Sequence, residues 1–246
     1  MIKLFILFIS VALDTCFGFS SVIGNQSRNG HDVHSRITHS VSSQMGFSYI
    51  SYRILVSGIV SADYYQNLID DAGMHCDRNR EKTHMEAIKN CHEKFKKEIK
   101  IAKYNLTEKK YLKSIYKLGQ ALHIIQDLIS HSNISILPIK VQNQILNEFL
   151  EEKSISTFKG LKITYWDYRD NKKDDFSKKA KYIHDKYSLD HPTKNSFGKK
   201  IHPYDPKQTQ YEIAYRLARK VTRRAILLYF SNFKKAEINN IKQYNL

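Results

Sequence analysis

Residues 118–133 read LGQALHIIQDLISHSN, and the positions between the polar side chains of this stretch are mostly Leu, Ile or Ala. The apolar residues recur at intervals of three and four, which predicts a helix over 108–132 with Thr107 as its N-cap. Because apolar residues dominate on almost every side, we expect this helix to be buried on most of its faces.

Three polar side chains form a stripe along this predicted helix. His123, Asp127 and His131 follow one another at intervals of four residues, and each step turns the helix by about 40° beyond one full turn. Imidazole and carboxylate groups at this spacing can ligate one metal ion. A buried Asp is costly unless it is paired or coordinates a metal. We therefore favour a metal site, the alternative being that Asp127 pairs with a histidine in a solvent-facing groove.

Two upstream segments offer further ligands of the same kind. Asp63 is followed twelve residues later by His75, and His39 lies in the earlier segment RITHSV. Mixed His and Asp ligands, with no Cys required, are typical of zinc sites that keep a position for water.

The rest of the chain predicts helices around a polar insert. Two helices are expected within 35–66, with others over 83–103, 138–153 and 208–233. Residues 154–208 are rich in Lys and broken by Gly and Pro, which indicates loops with short helical pieces. The prediction is a single all-α domain over 19–246, a helical bundle with a metal site between helices and a loop-rich basic insert.

Composition excludes several classes and indicates the partner's charge. The 246 residues include 16 Tyr and 12 Phe, too many aromatics for a disordered chain. Only 9 Gly and 4 Pro argue against collagen, propellers and turn-rich sandwiches. With 40 basic and 24 acidic residues the net charge is +16, which favours anionic partners such as phospholipid headgroups or nucleic acid. A codon bias towards Lys is the alternative origin of this charge.

The N-terminus predicts an extracytoplasmic protein. Lys3 precedes an apolar run over 4–13, which is typical of a signal peptide and too short to span a bilayer. We expect residues 1–18 to be removed and the mature chain to be secreted, or to lie in a periplasm or secretory lumen. Its remaining cysteines, Cys76 and Cys91, are then expected to form a disulfide, the alternative being two free thiols.

These motifs together resemble those of the zinc-dependent phospholipase C superfamily. That superfamily also contains fungal zinc single-strand nucleases and heterokaryon-incompatibility-type proteins. The pattern Leu-Gly-x-x-Leu-His-x-x-x-Asp at 118–127 looks like its metal helix. The extension to His131-Ser132-Asn133 and the early Thr38-His39 pair look most like the incompatibility-type branch. The resemblance covers about residues 34–133.

The resemblance implies a role for each matching residue. Four residues would hold the first metal, with the last of them also able to bridge to the third: Asp63, His75, His123 and Asp127. His39 would bind the third metal and His131 the second. Two or three zinc ions are implied, and one is the minimum alternative.

The sequence also departs from the phospholipase pattern. No His-x-x-x-Glu follows His131, so the best substitute ligands for the second metal are three residues of the segment 182–192: His184, Asp190 and His191. The phospholipases also use an N-terminal Trp as a ligand, whereas the only Trp here is Trp166.

The resemblance and the ligand set together predict a secreted phosphodiester hydrolase, most closely phospholipase C-like. Zinc would activate a water and Asp63 would act as its base or orienting group. The substrate would be an anionic phosphodiester, with peripheral contact to a membrane surface as a further expectation. Two alternatives stay open: a secreted zinc nuclease, and a non-catalytic zinc-stabilised interaction or toxin-associated domain.

Overall fold

The computed structural model describes most of the chain from residue 31 onward, namely residues 31–64, 71–79, 83–151, 155, 160–165, 189 and 199–244. Helices dominate these residues, which confirms the all-α prediction. They are α1 (His31–Gln44), α2 (Tyr49–Tyr64), α3 (His84–Thr107), α4 (Tyr111–Ser130), α5 (Ile139–Leu150), α6 (Gln210–Phe230) and α7 (Lys235–Lys242). A short 3-10 turn, Ile134–Ile136, separates α4 from α5.

Helix α4 is the centre of the bundle. Every residue from Leu118 to Ser130 is buried, as its mostly apolar sequence predicts. Its most extensive packing is against α2 and α3, followed by α6. The hydrophobic core continues from Val33 on α1 to Ile241 on α7, so all seven helices contribute to it.

Two glycines let α2 and α4 approach backbone to backbone. A Cβ atom on Gly58 would lie 2.0 Å from the carbonyl oxygen of Tyr116, and one on Gly119 would lie 2.1 Å from that of Leu55. Real side chains do not tolerate such distances, so only glycine fits at either position. The close approach brings the C-terminal end of α2, with Asp63, beside the polar stripe of α4.

The start of α4 differs from the prediction. Thr107 is the last residue of α3, and its hydroxyl donates to the carbonyl of Lys103 at 3.2 Å. Asn105 and Leu106 are buried, which keeps α3 helical up to that point. Lys109 then adopts a left-handed conformation, with φ of 57°, and turns the chain into α4. The N-cap of α4 is Lys110, without a side-chain cap.

The end of the polar insert forms a β-hairpin rather than the expected loops and short helices. Strands β1 (Ile201–His202) and β2 (Asp205–Thr209) pair antiparallel with an irregularity between Ile201 and His202. Thr209 then caps α6, accepting from the Glu212 amide at 3.2 Å while the Glu212 carboxylate accepts from the Thr209 amide. Most of the insert over 154–208, and the expected signal peptide over 1–18, lie outside the described residues.

A disulfide fastens the loop over 71–79 to α3. Cys76 is bonded to Cys91, with their Cα atoms 4.9 Å apart, as the cysteine count predicts. Residues 160–165 lie between this loop and the end of α4, since Arg78 donates to Thr164 and Thr164 donates to His131, backbone to backbone. No helix within the described ranges is long and apolar enough to cross a membrane.

Candidate metal centre

Four parts of the fold converge on the polar stripe of α4. Helix α1 contributes His34, α2 contributes Asp63, and the disulfide-linked loop contributes His75. The stripe itself supplies His123, Asp127 and His131. These side chains lie in the core of the bundle, and all but Asp63 belong to residues that are buried.

On one side of Asp127, four ligand atoms face one another. His123 Nε2 lies 2.8 Å and His75 Nδ1 lies 3.3 Å from Asp127 Oδ2. The two ring nitrogens are 3.2 Å apart. Asp63 Oδ1 is 3.7 Å from each of these nitrogens. These separations scatter around the roughly 3.3–3.6 Å expected between the ligands of one tetrahedral zinc ion, so Asp63, His75 and His123 could hold a metal ion, with Asp127 beside two of them.

The other carboxylate oxygen of Asp127 faces a second pair of imidazoles. His34 Nε2 lies 3.1 Å and His131 Nε2 lies 3.9 Å from Asp127 Oδ1. This oxygen is fully buried and accepts no hydrogen bond from a described residue. A buried carboxylate oxygen without a donor is costly. Asp127 therefore presents one oxygen towards the imidazoles of His75 and His123 and the other towards those of His34 and His131.

The tautomer of His34 is set by Gln126. The amide nitrogen of Gln126 donates to the hydroxyls of Thr38 and Thr222 at 3.0 and 3.1 Å. Its oxygen therefore faces His34 and accepts from Nδ1 at 2.9 Å. With the proton on Nδ1, the Nε2 atom of a neutral His34 ring offers its lone pair towards Asp127. Supporting contacts of this kind are typical of histidines that bind metals.

His131 is oriented in the same way. Its Nδ1 donates to the carbonyl of His75 at 2.6 Å and lies 3.4 Å from the Asp77 carboxylate. The Asp77 carboxylate is itself buried and accepts from the Thr164 hydroxyl. These contacts direct the Nε2 atom of His131 towards Asp127.

Charge balance keeps the central carboxylate ionised. Burial by itself raises the pKa of Asp127, but the surrounding imidazoles, that of His123 first, hold that pKa well below its usual value. Burial likewise lowers the pKa of His75, but the nearby carboxylates, that of Asp127 first, raise it above its usual value. The centre is thus a buried anion surrounded by nitrogens that attract either protons or a metal ion.

Asp63 is the most solvent-accessible member of the group around Asp127 Oδ2. Its side chain is 16% exposed, whereas those of His75 and Asp127 are 9% and 1% exposed. A molecule that reaches this group from solvent therefore meets Asp63 first.

The structure brings together five of the side chains that the sequence singled out: Asp63, His75, His123, Asp127 and His131. It separates His39 from them, which corrects the expectation that this residue joins the centre. His39 is exposed and packs edge-to-face on the Tyr52 ring, with ring centroids 4.8 Å apart. His184 lies outside the described residues.

His34 takes the place expected of His39, and the sequence contained a signal for it. Val33, Ile37 and Val41 mark the buried face of α1, and His34 lies beside them. His39 is five residues further on, about 140° around the helix. Gln126 was part of the quoted motif, but no local pattern indicates that its amide holds another helix's histidine.

No protein-family model matches this chain, and no curated protein or solved structure gives a significant match. The resemblance in the motifs thus remains a prediction. The geometry directly supports possible metal binding rather than a particular family. The groups His34–His123–Asp127 and Asp63–His75–His123 each place three ligand atoms within 4.8 Å of one another and could hold a metal ion.

Proposed function

We propose that this chain is a secreted, zinc-dependent phosphodiester hydrolase of the phospholipase C-like kind. One observation carries the proposal: in the core of the bundle, Asp127 holds its two carboxylate oxygens towards imidazole nitrogens from different elements, and Asp63 is the more exposed carboxylate beside them.

Zinc is the metal that this ligand set favours. Imidazole nitrogens mixed with carboxylate oxygens suit zinc better than magnesium or calcium, which prefer oxygen ligands. The group around Asp127 Oδ2 offers two imidazole nitrogens and two carboxylate oxygens. Of these four residues Asp63 is the most open to solvent, and its carboxylate lies 3.7 Å from both nitrogens.

His34, His131 and the Oδ1 atom of Asp127 would hold a second ion. In two-metal sites the two ions together stabilise the attacking and leaving oxygens of the displacement. Further ligands for this ion would have to come from water, substrate or residues beyond those described, His184 among them.

In such a centre the chain's own groups would position the reaction. Bound zinc supplies positive charge to the phosphodiester oxygens and acidifies a water molecule. Asp63 would orient that water and accept its proton, because its carboxylate is the accessible one. Asp127 would stay ionised through its low pKa, and Gln126 and Asp77 would hold His34 and His131 in their ligating orientations.

The substrate class rests on charge and on the motif resemblance. The chain carries a net charge of +16, which draws anionic molecules to its surface. This charge suits a nucleic acid as well as a phospholipid, so a zinc nuclease is the second candidate. A zinc-stabilised domain without turnover is the third, because no His-x-x-x-Glu follows His131.

Extracytoplasmic location is part of the proposal. The Cys76–Cys91 disulfide is typical of proteins from oxidising compartments. Expression with the native N-terminus should yield a mature chain that begins at Phe19 outside the cytoplasm. N-terminal sequencing of the exported protein tests this, and an uncleaved chain retained in the cytoplasm would contradict it.

The deciding experiment combines metal content with turnover. The mature chain is purified without chelator, its bound metals are counted by elemental analysis, and it is assayed on bis(4-nitrophenyl) phosphate, phosphatidylcholine and single-stranded DNA. We expect two zinc ions per chain and hydrolysis of phosphatidylcholine that a chelator abolishes and zinc restores. Cleavage of single-stranded DNA alone would establish the nuclease, and one ion without turnover would establish the non-catalytic domain.

Asp63→Asn is the decisive variant. It should lower turnover at least 100-fold in a zinc-replete preparation, because general-base catalysis contributes about 10²–10⁴-fold. Asp71→Asn is the matched control, since this carboxylate is also partly exposed but pairs with Lys94 at 2.5 Å. Full activity in Asp63→Asn would overturn the assigned role.

A further inference from the structure

A cleft of about 560 Å³ lies between α5, α6 and the β-hairpin, separate from the metal centre. Its walls are largely apolar and include Ile139 on α5, Tyr204 in the hairpin turn, and Ile213 and Leu217 on α6. Two of its large apolar side chains are exposed to solvent: Ile139 is 63% exposed and Tyr204 is 66% exposed. Exposed apolar side chains grouped in this way indicate a binding surface.

One side of the cleft is positively charged. Arg216 and Lys220 line it and are exposed. They share the face of α6 that carries Ile213 and Leu217, because these four residues are spaced by three and four. Residues 199–224 contain eight basic and two acidic side chains, so the surroundings of the cleft are strongly cationic.

The two acidic side chains of this segment accept hydrogen bonds from residues close to them in the sequence. The Asp205 carboxylate accepts from the Lys207 amide and from the Gln208 side chain, at 3.1 and 2.6 Å. The Glu212 carboxylate accepts from the Thr209 amide and hydroxyl, at 2.7 and 3.0 Å. Glu212 also interacts electrostatically with Arg216, one turn further along α6, and both Arg216 and Lys220 remain exposed beside the apolar residues.

The exposed residues are held in place by buried hydrogen bonds. His202 is buried, donates from Nε2 to the carbonyl of Ser135 at 2.7 Å, and accepts from the Tyr204 amide at 3.2 Å. Gln142 on α5 donates to the same Ser135 carbonyl at 3.0 Å. Both walls of the cleft are thus fastened to one backbone oxygen, four residues after His131. These hydrogen bonds fix the positions of the hairpin and α5, so the cleft between them is a preorganised surface.

We propose that this face docks on anionic phospholipid membranes. Exposed Ile and Tyr side chains insert at the boundary between headgroups and acyl chains, and Arg and Lys beside them bind lipid phosphates. A nucleic acid would gain from the cations and could stack a base on Tyr204, but it would leave the aliphatic wall formed by Ile139, Ile213 and Leu217 without an apolar partner. The inference concerns binding alone and holds whether or not the metal centre hydrolyses lipid.

The test is co-sedimentation of the full mature chain with vesicles. Pure phosphatidylcholine vesicles are compared with vesicles that contain 30% phosphatidylserine, at about 0.1 M salt, and the lipid composition is checked after each run. We expect the chain to bind the anionic vesicles and to be released by 0.5 M salt. Arg216→Gln/Lys220→Gln should weaken this binding about 25-fold, about fivefold for each charge removed. Ile139→Ser/Tyr204→Ser should weaken it at least 10-fold without altering the salt dependence.

Matched controls separate this face from charge and hydrophobicity in general. Lys97→Gln/Lys100→Gln removes two exposed cations from α3, and Tyr104→Ser/Leu227→Ser removes two large apolar side chains that are 60% and 53% exposed elsewhere. Both should bind as the unaltered chain does. Equal losses in control and cleft variants would overturn the proposal. So would binding of single-stranded DNA or an acidic amphipathic peptide that depends on the cleft residues while vesicle binding does not.

Discussion

The carboxylate of Asp127 lies at the middle of the candidate centre, at a position of α4 where an isolated charge would be unfavourable. It is 1% exposed, and one of its oxygens accepts no hydrogen bond from a described residue. An ionised carboxylate in such a place needs opposite charge close by. Protonated imidazoles or a metal ion can supply it, and the second option also satisfies the ring nitrogens that face Oδ2.

His34 and His39 lie on the same helix, so a variant of His39 is a suitable control for a variant of His34 in measurements of zinc affinity. His34→Ala should lower zinc affinity at least 10-fold, because it removes a nitrogen 3.1 Å from Asp127 Oδ1. His39→Ala, on the same helix but on its exposed side, should leave zinc affinity unchanged. Competition with a chromophoric chelator measures both. Equal affinities in the two variants would contradict the position assigned to His34.

The raised pKa of His75 predicts how zinc binding depends on pH. Zinc must displace the proton of this ring, so its affinity should fall as the pH is lowered, by about tenfold per unit for one displaced proton. The fall should begin above pH 6.5, the ordinary value, because nearby carboxylates outweigh burial and raise the pKa. Isothermal titration between pH 8 and 6 measures it.

The metal-free chain should show the opposite trend for the same residue. Because the pKa of His75 is raised in the folded chain, protonation of this ring adds to the free energy of unfolding. That contribution is complete below about pH 6.5 and is lost as the pH rises through the pKa of the folded chain. Urea unfolding of the chelator-treated chain checks this. A zinc affinity that does not change between pH 8 and 6 would contradict the assignment of His75 as a ligand.

Among the elements, α4 positions the centre through its contact with α2. Gly58 and Gly119 allow the two backbones to touch, and this contact places Asp63 near His123. The glycine in the quoted motif thus acts through helix packing, one turn before the first ligand on α4.

Gly119→Ala should therefore damage stability and metal binding together. Its methyl group would meet the Leu55 carbonyl oxygen at 2.1 Å, and overpacking of this kind costs about 1–3 kcal/mol. Because the helices must separate, Asp63 should move away and zinc affinity should fall. Lys113→Ala, at an exposed position of the same helix, is the control for both measurements. A fully stable Gly119→Ala chain would show that the helices do not touch here.

The disulfide should act on the loop that carries His75. The bond closes a span of 15 residues, for which chain entropy predicts about 3 kcal/mol of stabilisation. Cys76→Ser/Cys91→Ser should lose about that much in urea unfolding and should also bind zinc more weakly, because His75 precedes Cys76. The unaltered chain under reducing conditions serves as the comparison. If zinc affinity is unchanged in the double variant and in the reduced chain, packing alone positions the loop.

For the whole molecule, metal binding and folding should be coupled, because the ligands come from α1, α2, α4 and a loop. Zinc at 100 times its dissociation constant should add about 2.7 kcal/mol to the free energy of unfolding. For a chain of this size that raises Tm by about 5–10 °C. Calorimetry of chelator-treated and zinc-loaded chains measures it, and Asp127→Asn should abolish the rise. An equal rise in Asp127→Asn would mean that zinc binds elsewhere.

Much of the fold could be read from local patterns. The helices and the grouping of His123, Asp127 and His131 depend on residues three and four apart, and such spacing carries its own geometry. The boundaries were harder: Thr107 is polar and suits an N-cap, but burial of Leu106 keeps it inside α3. The β-hairpin is not predicted from the sequence, because Pro203 and Pro206 are equally typical of a loop.

Periodicity alone predicts an all-α protein with a buried helix on which His123, Asp127 and His131 form one stripe, because helix geometry repeats within a few residues. Which histidine of α1 faces Asp127 depends on contacts with residues that are far away in the sequence. Val33 and Ile37 turn inward against the core, and Thr38 and Thr222 orient the Gln126 amide that holds His34. The hydrogen bonds of Gln126 join residues 88 to 96 positions apart. Packing of the helices therefore selects His34 over His39.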